Sequence, residues 1–198
     1  SPVNGKSDFF RLNVSGECSY PDVDRSIRTV FPKRVSRLDS QINSAYAMDV
    51  KEFHFGSIIV IKDKGGKVGF YRQFINLQNV SHFPVEFTAF LADKQPPWIL
   101  ETTNSVIDVD QSFQLYFGIS PTVPSLYKNQ LFVIIKDHPV PLCYTIVADA
   151  CSPTIEVSDT TLDFEKLLLT QTKTLKLDLK NTGKLNAFWR LKGTSQLG

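Results

Sequence analysis

Cysteine is scarce in this 198-residue chain: Cys18, Cys143 and Cys151 are the whole set, odd in number and far apart. A small secreted domain held by disulfides carries more, in even number, so the plain reading is a reducing, cytoplasmic compartment. Long apolar runs are missing too. None approaches the ~18 residues that would cross a membrane. The N-terminus, Ser1-Pro2-Val3-Asn4-Gly5-Lys6, has no initiator Met and no apolar h-region. It reads as a chain without a signal peptide, cut from something longer. The sequons Asn13-Val14-Ser15 and Asn79-Val80-Ser81 then read as chance matches. Net charge is only +2 at pH 7, too mild for a nucleic-acid binder.

Constellations that carry chemistry are also lacking. His54, His82 and His138 each fall on a separate strand or turn, and Cys143 and Cys151 have no histidine between them. Zinc needs such ligands to converge at short separations. Asp108-Val109-Asp110 sets two carboxylates on one side of a strand. A calcium loop needs further oxygen ligands and a glycine turn, so a solvated strand edge is the expectation. No Ser-His-Asp arrangement, nucleophile elbow or phosphate-cradling loop is present. Gly65-Gly66 reads as a hairpin turn. We assign no catalytic, cofactor-binding or metal residue and expect no enzyme.

What is abundant is aromatic and alternating. Fifteen Phe and a 12% aromatic share suit a sheet-rich core. Period-two patterns run through Phe74–Asn79, Val85–Leu91, Ser112–Phe117, Gln130–Ile135 and Leu142–Ala148, with Pro121, Pro124, Pro139 and Pro141 between them. Proline there interrupts no ladder, and no amphipathic helix of three turns is visible. The spacing predicts an all-β protein built as an antiparallel sandwich.

The chain also repeats itself. Phe53-His54-Phe55-Gly56 returns as Leu162-Asp163-Phe164-Glu165 at an offset of 109, and Ile75-Asn76-Leu77-Gln78-Asn79 as Leu177-Asp178-Leu179-Lys180-Asn181 at 102. The difference falls in the Lys62–Lys67 loop, where length changes cost little. Pro84-Val85-Glu86-Phe87 matches Asn186-Ala187-Phe188-Trp189, and the segment ending Cys18-Ser19-Tyr20-Pro21 resembles the one ending Cys151-Ser152-Pro153. These echoes divide the chain into 1–20, the last strand of a preceding module, and 21–48, a linker or an insertion lying on the next module. Residues 49–151 form a complete sandwich, and 152–198 the N-terminal half of a following one. A sandwich of this kind needs roughly 100 residues, so the chain reads as a fragment of a tandem array. Trp189 is expected in a sandwich core. Trp98, after Pro96-Pro97, reads as core or as a loop aromatic at a module contact.

Two basic clusters are the partner-binding residues proposed from sequence. Lys62, Lys64 and Lys67 lie on the hairpin loop with Arg72 at its foot. Lys173, Lys176, Lys180 and Lys184 continue into Arg190 and Lys192. Alternation in Lys176-Leu177-Asp178-Leu179-Lys180 puts charge on one face and leucine on the other, so the basic face meets solvent or a partner. Solvated lysines that guard a sheet edge are the competing reading.

The order of elements resembles a known family. Phe55-Gly56 comes near the first strand, and later strands end in Asn79 and Asn181. Phe117-Gly118-Ile119-Ser120-Pro121, Tyr127 before Leu131–Ile134, and a closing strand ending Cys-x-Pro follow. The chain resembles the ASH/MSP-like branch of the PapD-type immunoglobulin-like folds. It is most similar to the tandem modules of Hydin and related cilia- and flagella-associated proteins of the axonemal central apparatus. Phe164-Glu165 departs from the Phe-Gly pattern, and the basic peptide groove of MSP domains has no residue-by-residue match. The resemblance implies a structural, non-catalytic scaffold of the cilium or flagellum axoneme. It would support central-apparatus assembly and ciliary motility by contacting axonemal proteins, tubulin and neighbouring modules. It implies no cofactor, nucleic acid or membrane. Two alternatives are a cytoplasmic MSP-type adaptor binding a peptide motif at a sheet edge, and an extracellular adhesion module.

Overall fold

The computed structural model describes residues 11–16, 18–39, 43–60 and 69–192. Every period-two run becomes a strand. The elements in order are α1 (Ile27–Val30), β1 (Arg34–Val35), β2 (Asn43–Ala47), β3 (Glu52–Ile59), β4 (Tyr71–Gln78), β5 (Val85–Leu91) and β6 (Trp98–Leu100). They continue as β7 (Asn104–Ile107), β8 (Ser112–Ile119), β9 (Ser125–Ile135), β10 (Leu142–Cys151), β11 (Ile155–Val157) and β12 (Leu179–Asn181). In β5, Val85, Phe87, Ala89 and Leu91 are buried while Glu86 and Thr88 face solvent. That division follows from side chains alternating across a pleated strand. Among the described residues no helix is long and apolar enough to cross a membrane.

A seven-stranded sheet in the order β1-β2-β3-β10-β9-β5-β7 faces a three-stranded sheet in the order β4-β8-β6. This is the all-β, immunoglobulin-like sandwich expected. Its core holds Phe53, Phe55, Phe87, Phe117, Ile75, Leu77, Leu115, Leu131, Val133 and Ile146, all buried. Phe55 and Phe53 each meet Phe117 edge-on at 5.7 Å. Edge-on pairs add roughly 0.5–1.5 kcal/mol to what burial of the rings contributes. Trp98 lies on β6, 6% exposed, and meets Phe55 at 5.8 Å, so it is a core residue.

The Phe55-Gly56 pair has a specific job. β3 runs parallel to β10, with Val147 opposite His54 but Asp149 opposite Ser57, so β3 carries one residue more across this step. Gly56 absorbs the extra residue at φ 77, a left-handed conformation that glycine adopts without steric penalty.

Residues 21–48 pack on the sandwich rather than spanning between units. Val23 bridges Asn79 at the end of β4. α1 follows, capped by the Ser26 side chain accepting from the Thr29 amide. Val30 and Phe31 are fully buried, and Phe31 lies 4.4 Å from Tyr46, 5.5 Å from Phe53 and 5.2 Å from Tyr144 between ring centroids. β2 then adds to the outer edge of β3, Ala45 opposite His54 and Tyr46 opposite Phe53. The apolar residues Val23, Val30, Phe31, Ala45, Tyr46 and Ala47 hold this stretch down. The polar and basic residues between them mask that pattern in the sequence.

Beyond β10 the chain passes through Ser152-Pro153-Thr154 into β11, which pairs antiparallel with β12. Trp189, expected in a sandwich core, is 61% exposed, and Phe188 is 98% exposed. Residues 183–192 form no strand ladder among the described residues, so no second layer closes over the rings.

Candidate functional site

The two copies carry the same hydrogen-bonded corner. At the end of β4, the Asn79 Nδ2 donates to the carbonyls of Phe83 (2.8 Å), Ile107 (3.0 Å) and Asp108 (3.1 Å). Its Oδ1 accepts from the Ser81 amide and hydroxyl. In the second copy the Asn181 Nδ2 donates to the Leu185 carbonyl at 2.8 Å, four residues on, and its Oδ1 accepts from the Gly183 amide, two residues on. The entering strand is held alike. The Val80 amide donates to the Asp22 carbonyl at 3.3 Å, and the Thr182 amide to the Thr154 carbonyl at 3.2 Å. Asparagine suits this corner because one short side chain offers two donors and an acceptor at once.

The repeat extends to backbone strain. Glu165, aligned with Gly56, sits at φ 57. Its amide donates to the Asp163 Oδ1 at 2.7 Å, and its carboxylate meets Lys173 at 2.8 Å. A non-glycine residue keeps the left-handed geometry here, held by local polar contacts. The copies differ in one large respect. The offset between them is 132 at Val23/Ile155 but 109 at Phe53/Leu162, so the first copy holds 23 additional residues between those points. These are α1, β1, β2 and their connections, an insertion that the second copy lacks.

Four of the eight proposed partner-binding residues pair with carboxylates of this chain. Lys62, Lys64 and Lys67 lie outside the described residues. Arg72 forms a two-pronged pair with Glu101 at 2.5 and 2.6 Å and lies 3.6 Å over the Tyr116 ring. Its hydrogen bond holds the Glu101 carboxyl below the usual carboxylate range. Lys173 meets Glu165, Lys176 meets Asp178 at 3.0 Å, and Lys184 meets Asp149 at 2.6 Å. Burial disfavours the ionised Asp149, yet the Lys184 ammonium and the Cys151 thiol outweigh it and lower its pKa. Lys180, Arg190 and Lys192 form no ion pair among the described residues. Arg72, Lys173, Lys176 and Lys184 thus each have a carboxylate partner within the chain.

The Lys184–Asp149 pair joins the turn after β12 to β10, an arrangement that spacing along the chain does not disclose. Two further polar groupings lie apart from it. Arg25 bonds Asp22 at 3.0 Å and reaches the His138 ring and the Val140 carbonyl. His54 lies beside Glu52 at 3.3 Å, and burial pushes its imidazole below the ordinary range while Glu52 opposes that shift. All three cysteines are free thiols. Among the described residues no three His, Cys, Asp or Glu side chains converge as a metal site would require. The Asn79 sequon is closed to glycosylation in the folded protein, because its amide nitrogen already serves three carbonyls and the residue is 1% exposed.

No family model matches the sequence. The hydrocephalus-inducing protein of Mus musculus is 25% identical over 197 residues, covering 96% of this chain and 4% of that protein. Its homolog in Homo sapiens is 23% identical over 199 residues, with the same two coverages. The chain therefore spans about 4% of the length of these curated relatives. Among solved structures, the ASH/PapD-like domain 7 of human CEP192 superposes with a TM-score of 0.38 at 8% identity, covering 48% of this chain and 81% of that one. The MSP-domain protein SSP-19 of Caenorhabditis elegans gives 0.32 at 12% identity, covering 48% and 94%. The chain, an all-β immunoglobulin-like sandwich, is similar over nearly all its length to one short stretch of the hydrocephalus-inducing proteins.

Proposed function

We propose that this chain is a non-catalytic, structural segment of a ciliary or flagellar axonemal protein, in which successive sandwiches set the spacing of a central-apparatus projection. The observation that carries this is the repeated asparagine corner, which shows the same strand entry built twice in one chain with only Ser152-Pro153-Thr154 between β10 and β11. A connector that short limits how far two units can swing. The similarity to hydrocephalus-inducing proteins supports the ciliary setting. Residues 152–198 then form the opening half of a following module, and the exposed Leu167, Leu168, Leu169, Phe188 and Trp189 become the apolar face that its later strands cover.

Partners in this reading are other axonemal proteins, reached through many weak contacts. A tubulin contact would rest on Lys180, Arg190 and Lys192, the members of the second basic cluster that internal carboxylates leave open among the described residues. The test is replacement of the corresponding segment, within the full-length protein of ciliated cells, by a glycine-serine linker of equal length. The expected result is loss or displacement of a central-apparatus projection with an altered beat. Normal ultrastructure and motility would contradict the scaffold reading.

A further inference from the structure

The sandwich has two flanks, and the chain treats them differently. On one flank the insertion fills the space between the edges of β3 and β4, with α1 and Phe31 as the plug and β2 laddered onto β3. The opposite flank, between β5 with β7 and β6, opens into a slot of about 410 Å³ lined by Thr88, Ala89, Phe90, Leu91, Trp98 and Leu100, with Lys94 and Thr103 at its mouth. Four consecutive β5 residues line it. A strand shows neighbours of both parities to one space only where its edge, not its face, is presented.

The backbone there is in a state to accept a strand. β7 covers β5 only from Val85 to Thr88. The chain then leaves toward the other sheet, its last contact being the Ala89 amide donating to the Thr103 carbonyl at 2.7 Å. On the other side the Ala92 amide donates to Gln130 and the Lys136 amide to Glu86, so even-numbered β5 residues bond to β9. Antiparallel bonding alternates from residue to residue. Leu91 therefore turns its N–H and C=O away from β9 and toward the slot. Trp98, Leu100 and Leu91 make the interior apolar, and Lys94 pairs with no carboxylate among the described residues.

We infer that this slot is a docking edge for an extended segment of a partner protein. The segment ladders onto β5 at Leu91, places one bulky apolar side chain against Trp98 and Leu100, and carries an acidic residue opposite Lys94. Main-chain bonds would supply affinity and the apolar anchor selectivity. Phe31 on the opposite flank shows what such an anchor looks like when the chain supplies it itself. This goes beyond the scaffold reading, which stands whether or not a peptide binds here.

The experiment is a nuclear magnetic resonance titration of the whole chain. The probe is a short peptide alternating threonine with valine and phenylalanine and ending in two aspartates. The Trp98 indole and the β5 amides report on the slot, and the Trp189 indole serves as internal control. Saturable shifts at Trp98 and Leu91 are expected, lost with a probe carrying proline at its centre and lost when Thr103→Trp fills the slot. Lys94→Glu should weaken binding about 5-fold, and a probe ending in two lysines should recover it, as expected for one exposed charge pair. Absence of shifts at millimolar peptide, shifts centred on β4 or β1, or equal binding by T103W and K94E would each overturn the inference. So would the same shifts arising without peptide as protein concentration rises, which would make the occupant a second copy.

Discussion

Asn79 joins the two sheets, since its amide spans the loop after β4 and the end of β7. Asn79→Ala leaves three buried or half-buried carbonyls without their donor and should destabilise the fold by about 2–4 kcal/mol. Asn79→Asp should be worse, because a carboxylate would face those same carbonyls. Urea denaturation of the three proteins checks the order, and an Asp variant as stable as the parent would refute it. A second test concerns the left-handed position shared by the copies. Gly56→Ala forces a Cβ into φ 77 and should cost about 1–2 kcal/mol. Glu165→Gly removes that penalty at φ 57 but also removes the Lys173 pair. Slower amide exchange at residues 163–166 in Glu165→Gly would show that strain outweighs the ion pair. The Phe-Gly motif was legible in the sequence. Its cause, an extra residue in a parallel ladder, was not, because register belongs to two strands at once.

At the scale of elements, the period-two runs announce β4, β5, β8, β9 and β10, whereas β3 shows in the sequence only through the repeat, because its extra residue at Gly56 breaks the alternation. The sequence leaves residues 21–48 open between a linker and an insertion because their apolar residues follow no period. Val23, Val30 and Phe31 lie among Asp22, Arg25, Arg28, Lys33 and Arg34, without periodicity. Phe31→Ala should cost about 3–5 kcal/mol, as for a buried ring, while Phe188→Ala should stay within about 0.5 kcal/mol, as for an exposed one. Thermal or denaturant melts of the two variants decide this, and equal effects would contradict the plug. The insertion should also loosen in acid. The Asp24 carboxyl is held below the usual carboxylate range by the Thr29 side chain and then by the Ser26 amide. A depressed folded pKa gives stability that is complete above the unfolded value and fades as pH falls through the folded one. Exchange of the Thr29 amide, compared with a core amide in β8, should therefore accelerate as pH falls below the ordinary carboxylate range. An unchanged ratio would remove Asp24 from the account.

At the scale of the whole molecule, the sequence repeat and the structural repeat coincide but do not begin at the same residue. The strongest sequence matches start at Phe53 and Leu162. The shared strand entry lies earlier, at Asp22–Asp24 and Thr154–Glu156, and the insertion pushes it out of alignment. The basic clusters were legible as charge but not as pairs, because Glu101, Asp149 and Glu165 reach Arg72, Lys184 and Lys173 from distant or off-pattern positions. What the described residues show is one sandwich followed, after Ser152-Pro153-Thr154, by a two-stranded pairing that repeats its strand entry. The most direct measurement of the ciliary scaffold claim is immunogold electron microscopy of isolated axonemes, using an antibody raised against this chain. Gold should concentrate on the central apparatus in cross-section and recur along its length. Label absent from the axoneme, with signal confined to the cell body, would contradict the account.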